Sequence, residues 1–249
     1  MSQHHLINRS EKEVLWFQRR SFLAAAAAWS SMGGFGAALA QQRTNIIELQ
    51  GDALLNGRKL AAQQVIQTGD RIETGPGSHL IFVIGNSSFQ VRQNSRLVVE
   101  RGQSLFAVSL LRLLTGAVVS VWGKGTSRSI VTPTLTAGIR GTGVYTEVFE
   151  KSANRTYFCN CYGTVDMGAG GDKVVSQSSY HQAFWGEPAP VNGKSLTPAK
   201  AINHTDEELE NLARLVSQKT AWQTMGKKGV KDGMGYMDAS PANSHPAMR

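Results

Sequence analysis

Cysteine is scarce in this sequence: Cys159 and Cys161 are its only two in 249 residues. One intrachain disulfide at most can form, so no disulfide framework supports the fold. Acidic side chains are thin across residues 44–185, where Asp52, Asp70, Glu73, Glu100, Glu147, Glu150 and Asp166 fall near expected turns or strand ends. Such a distribution suits solvated edges better than a paired general acid and base. No Ser/His/Asp order, Gly-x-Ser-x-Gly elbow, phosphate loop or His-Glu-x-x-His string occurs, and the chain reads as non-enzymatic. Its one redox candidate, Cys159-x-Cys161, lacks the helix N-terminus that usually lowers a reactive thiol's pKa. Long apolar runs are missing too. The longest, Phe22 to Leu39, is diluted by Ser30, Ser31, Gly33, Gly34 and Gly36, and it is short of the about 20 strongly apolar residues a spanning helix needs.

That run has a different meaning in its context. A polar, charged stretch ends at Arg19-Arg20, the apolar run follows, and Ala38-Leu39-Ala40 closes it with the small residues of a cleavage site. Weak hydrophobicity, length and paired arginines favour the twin-arginine route of export over the general one. The string Arg19-Arg20-Ser21-Phe22-Leu23 resembles the twin-arginine consensus, with Gln18 where serine is usual. The expectation is a signal peptide over residues 1–40, cleaved to release a periplasmic protein; left uncleaved, it would anchor the chain in the inner membrane. Twin-arginine substrates as a class cross the membrane already folded, often around a cofactor.

The whole chain carries a formal +8. Without residues 1–40 it carries +6, with excess positive charge late, at Lys219, Lys227, Lys228, Lys231 and Arg249. A basic tail is drawn to anionic lipid, cell-wall polymer or an acidic partner. Nucleic acid is not an expected partner, because the basic residues are not interleaved with aromatics on one element.

From Thr44 to about Trp185 short apolar runs alternate with Gly, Asn and Asp turns, and helical spacing is absent. The pattern predicts an all-β fold, a twisted sandwich with solenoid-like coils built from many short strands. A change of period follows. Thr205 to Glu208 spells a capping box, and Leu209, Leu212, Ala213 and Val216 form one apolar stripe. A helix over 206–218 is expected inside a linker region of 188–222, with a disordered basic tail at 223–249.

Several of these strings together resemble a known family. Gly51-Asp52-Ala53, Gly69-Asp70-Arg71-Ile72-Glu73-Thr74-Gly75, Val91 to Leu97, Leu114 to Val118, and Thr132-Pro133-Thr134 through Arg140-Gly141-Thr142 are similar to a FecR-type domain. The resemblance spans roughly 44–187. It implies an exported β-domain used for contact with a partner. Family regulators also carry a cytoplasmic anti-sigma segment and a membrane helix before the domain. Only 18 residues precede Arg19, so the regulatory mechanism is not carried over. Arg140 sits between Gly138 and Gly141 and is expected to bridge strands as a buried structural arginine or to meet a partner, with Thr132 and Thr142 beside it.

Cys159 and Cys161 leave three readings open. They are two small semi-buried residues, a local or intermolecular disulfide, or part of a zinc or copper site. For the third, His181 is the best further ligand; His204 and His79 are weaker, and His79 reads as a surface residue. Two functions therefore stand side by side: a non-catalytic sensing or interaction module with a protein or envelope partner, and a periplasmic metal- or cofactor-binding protein.

Overall fold

A computed structural model describes residues 44–103, 107–125 and 127–231, together with short backbone pairings at residues 5–6 with 9–10 and 230–231 with 236–237. Arg19, Arg20, Ala38 and Ala40 lie outside the described residues, as does most of the expected tail. Contacts divide the chain into residues 1–42 and 43–249, and the second unit contains the large sheet.

Strands dominate this unit. They are β1 (Ile46–Gln50), β2 (Ala53–Leu55), β3 (Arg58–Lys59), β4 (Arg71–Thr74), β5 (His79–Ile84), β6 (Ser87–Val91) and β7 (Arg96–Arg101). After these come β8 (Val108–Trp122), β9 (Arg128–Val131), β10 (Thr136–Phe149), β11 (Arg155–Ala169), β12 (Asp172–Ser178), β13 (Gln182–Val191) and β14 (Lys194–Ala199). Two helices complete it, α1 (Asp206–Leu215) and α2 (Ala221–Met225). The fold is all-β with C-terminal helices. Not all strands are short, however: β8, β10 and β11 run for 15, 14 and 15 residues.

Those three long strands organise the sheet, because each changes partners midway. β8 pairs with β7 as far as Thr115 and, in parallel, with β9 as far as Arg112, then with β10 from Gly116 and with β6 from Val118. β10 leaves β9 after Ile139 and joins β8 from Gly143. β11 holds β13 up to Asn160 and β12 from Gly163. A glycine at positive φ marks each switch: Gly116 (77°), Gly141 (67°) and Gly163 (101°). Only glycine takes these angles without a Cβ penalty, and a Cβ on Gly116 would run into Ser95.

Two half-sheets result, and one large core lies between them. Leu97, Val99, Leu111 and Leu113 enter it from the first half; Leu80, Phe82, Phe89, Val91, Val118, Trp122 and Phe158 enter from the second. Phe89 stacks on Phe82 and meets Trp122 edge-on at 5.1 Å. The strands of the second half-sheet also present a reverse face. Ile81, Val119, Val121, Tyr145, Tyr157, Cys159, Cys161 and Ala183 lie there under Leu209, Leu212, Ala213 and Trp222.

The helical segment forms as its sequence dictates. The Thr205 hydroxyl accepts from the Glu208 amide and the Glu208 carboxylate accepts from the Thr205 amide, a complete capping box. The helix stops at Leu215, earlier than expected, and a second box at Thr220 and Gln223 starts α2. Burying Leu209 and Leu212 gives roughly 1.5–3 kcal/mol each. Polar contacts fix the docking: Ser88 Oγ donates to the Leu212 carbonyl at 2.8 Å, and Glu208 receives Gln90 Nε2 at 2.7 Å and the Arg92 guanidinium at 2.7 Å. The segment expected as a linker from residue 188 instead contains the rest of β13 and all of β14. Pro188 and Pro190 disguise this extension, since proline argues against a strand. Among the described residues no helix is long and apolar enough to cross a membrane.

Candidate functional site

Cys159, Cys161, His181 and His204 converge beneath the helical segment. All four are buried, and their ligand atoms lie within 4.8 Å of one another. β11 supplies both cysteines. Regular alternation would place 159 and 161 on one face and 162 on the other. Instead Asn160 pairs with Val144 and Tyr162 with Gly143, leaving Cys161 as the extra residue of a bulge. Cys161 and Tyr162 both therefore join the reverse-face cluster. Gly143 makes room, since a Cβ there would overlap the Tyr162 ring. The two cysteines are free thiols.

His181 lies after β12 in the turn leading to β13. Its amide donates to the Cys161 carbonyl at 2.9 Å, and its φ is +46°. A non-glycine residue in that region is strained and is held by its surroundings. Here the backbone bond, stacking on Trp222 and the Asp206 carboxylate hold it. His204 arrives from the other direction, just ahead of α1. Tyr157 pins that stretch: its hydroxyl donates to the Lys200 carbonyl at 2.9 Å and accepts from the Ile202 amide at 3.1 Å. The His204 ring then stacks on Tyr145 at 4.8 Å.

Both imidazoles have their outer nitrogens occupied. His181 Nε2 lies 2.9 Å from Asp206 Oδ1, and His204 Nδ1 lies 2.6 Å from the Ile202 carbonyl. Their inner nitrogens, His181 Nδ1 and His204 Nε2, face each other at 3.0 Å. Cys159 Sγ lies 3.7 Å from His181 Nδ1. Asp206 is itself buried; it accepts from the Tyr180 hydroxyl at 2.9 Å and pairs with Lys228 at 2.6 Å.

The electrostatics follow from this crowding. Burial pushes the Cys159 thiol up, but hydrogen bonding from Cys161 and the two facing histidines outweigh it, so its pKa falls well below that of a free thiol. Burial and then the neighbouring Cys159 raise Cys161 well above it. Burial disfavours charge on His181, yet Asp206 and Cys159 reverse this and carry its pKa to about 9. Asp206 is resisted by burial, but His181, Lys228 and Tyr180 bring it down to about 2. Each of these shifts thus traces to close contacts inside one buried cluster. Two thiols and two imidazoles at these distances can also bind a soft or borderline metal ion.

The expected trio of Cys159, Cys161 and His181 is therefore brought together, and His204, a weaker candidate by sequence, stands with them. Sequence alone does not single out Asp206. Its one signal is its place two residues after His204, inside an acidic capping box. His79 lies elsewhere, on β5, 3.7 Å from Glu48; it is buried, not on the surface, because β5 is covered on both faces. Arg140 is likewise corrected. It is exposed and reaches Asp166 on β11 at 2.5 Å, bridging strands from the outside because its face of β10 is uncovered. Thr132 closes a turn, its hydroxyl bonded with the Leu135 backbone and Thr156. Thr142 is buried, with no hydroxyl partner among the described residues.

Comparison with known proteins finds only distant likenesses in shape. No family model matches this sequence, and no curated protein matches it. Two crystal structures of a "putative anti-sigma factor" from Parabacteroides distasonis ATCC 8503 are similar in shape. One, at 2.50 Å, shows 9% identity and a TM-score of 0.42 over 53% of this chain and 59% of that one. The other, at 1.65 Å, shows 10% identity and 0.43 over 68% and 85%. Likeness at this level leaves site and function to be argued from the chain's own residues.

Proposed function

We propose that this chain is exported and acts in the periplasm as a non-catalytic FecR-type module that senses or binds a protein partner. Support comes first from the FecR-like strings. Gly69 to Gly75 comprises a turn and all of β4, and Thr132 to Thr142 comprises the turn after β9 and the first half of β10, so both work as scaffold. The observation that carries the reading is β12. Among the described residues this seven-residue strand pairs on one side only, with β11, and its Val175 is 64% exposed. A one-sided strand presents unused amide and carbonyl groups to an incoming strand.

A photo-crosslinking residue at position 175, introduced in the producing bacterium, tests it. A reproducible adduct in the periplasmic fraction is expected, and Val175→Lys should reduce capture of the same partner by a nearby crosslinker at position 177. Adducts that are absent, or unchanged by Val175→Lys, remove the reading. Failure of the chain to leave the cytoplasm removes its export half.

A further inference from the structure

We infer that Cys159, Cys161, His181 and His204 form a structural zinc site that fastens the C-terminal helical segment to the sheet. It is a separate claim from the binding role of β12.

The facing histidine nitrogens argue for a cation between them. With His181 Nε2 turned to Asp206 and His204 Nδ1 to the Ile202 carbonyl, each ring directs its other nitrogen inward. Two neutral imidazoles so arranged would oppose lone pair to lone pair at 3.0 Å. A shared proton relieves that clash between the two rings alone. A metal ion engages all four.

Size and charge agree with zinc. Bonds of about 2.0–2.1 Å to nitrogen and about 2.3 Å to sulfur give tetrahedral edges of roughly 3.3 Å between nitrogens and roughly 3.8 Å between sulfurs. The nitrogen pair at 3.0 Å and the Cys159–His181 pair at 3.7 Å already stand near such edges. The longest separation, 4.8 Å at most, exceeds the sulfur edge by only about 1 Å. Two thiolates and a divalent cation sum to a neutral centre, which a buried pocket tolerates better than a lone thiolate.

The outer partners complete the pattern. A ligating histidine ordinarily donates its other nitrogen to a carboxylate or a backbone carbonyl; Asp206 and Ile202 supply one of each. Asp206 is thus a positioning residue, and Tyr180 and Lys228 hold it in turn. Two ligands come from β11, one from the turn before β13 and one from the segment leading to α1. Zinc would therefore crosslink sheet and helices at the point where the helical segment begins.

Full-length protein, denatured with reductant and chelator and then refolded with or without equimolar Zn2+, tests the site. One zinc per chain is expected, together with a rise in unfolding midpoint over the zinc-free sample. Co2+ in its place should give the intense visible bands of a tetrahedral centre and near-ultraviolet thiolate charge transfer. Asp206→Asn should weaken zinc about 10- to 100-fold at unchanged stoichiometry. The double variant Cys159→Ser/Cys161→Ser should retain none; should it not fold, the Co2+ spectrum of the natural sequence decides. Folded protein that takes up no zinc, a Co2+ spectrum without thiolate bands, equal zinc in the folded double variant, or a Cys159–Cys161 disulfide would overturn the inference.

Discussion

Along β8, Val118 and Trp122 point into the sandwich interior while Val119 and Val121 point under the helices; along β11, Phe158 goes inward while Tyr157, Cys159 and Cys161 go outward. The same strands thus serve two faces of different chemistry. The inner face is aliphatic and aromatic and closes against another half-sheet. The reverse face carries thiols, imidazoles and phenols and closes against the short segment that holds α1 and α2. Apolar burial alone explains the first. The second holds groups that are costly to bury unpaired, and the fold answers with hydrogen bonds: Asp206 and the Ile202 carbonyl accept from the two histidine rings, and Tyr157 donates to the Lys200 carbonyl. Stability is concentrated in one face and chemistry in the other.

The inner face is where a substitution does the most damage. Phe89→Ala removes a fully buried ring that touches Phe82 and Trp122. The expected loss is about 3–5 kcal/mol, the usual cost of a buried phenylalanine. Urea unfolding measures it, and the single transition should move as a whole because both half-sheets share that core. A loss below about 1 kcal/mol would mean that the interior is not packed in this way.

Much of this contrast is legible in the sequence. Period-2 apolar runs give an all-β fold, and Thr205 to Glu208 gives the helix start to the residue, since capping is local chemistry. The cysteine pair and His181 are readable for the same reason: two cysteines one residue apart share a strand face. The hidden features depend on contacts distant in sequence. The partner switches at Gly116, Gly141 and Gly163 are among them, because a glycine says nothing about which strands pair on either side of it. His204 and Asp206 are 43 and 45 residues beyond Cys161, and no local spacing ties them to it. The exposure of Arg140 is hidden too, because two flanking glycines say nothing about which face of β10 is covered.

On the reverse face a milder change should act locally. Thr205→Ala removes the hydroxyl that accepts from the Glu208 amide, while the Glu208 carboxylate keeps the residue-205 amide, Gln90 and Arg92. The expected cost is about 1 kcal/mol. Hydrogen exchange should show it as faster exchange in 206–215 with little change in β5, β6 and the inner half of β8. Equal acceleration in those strands would mean that the helical segment and the sandwich unfold as one unit.

The smallest effect belongs to Arg140, which lies on neither face. Its guanidinium is 68% exposed and its partner Asp166 is 41% exposed, so solvent and salt screen the pair strongly. Arg140→Ala should cost under about 0.5 kcal/mol, within the range of exposed ion pairs, and the difference should vanish as salt is raised. Gly141 next door offers the control. At φ 67° it cannot accept a side chain without strain, so Gly141→Ala should destabilise by more than Arg140→Ala despite removing no contact. Should Arg140→Ala instead prove the costlier of the two, the charge pair and not the backbone bend would be what holds β10 to β11 where the half-sheets divide.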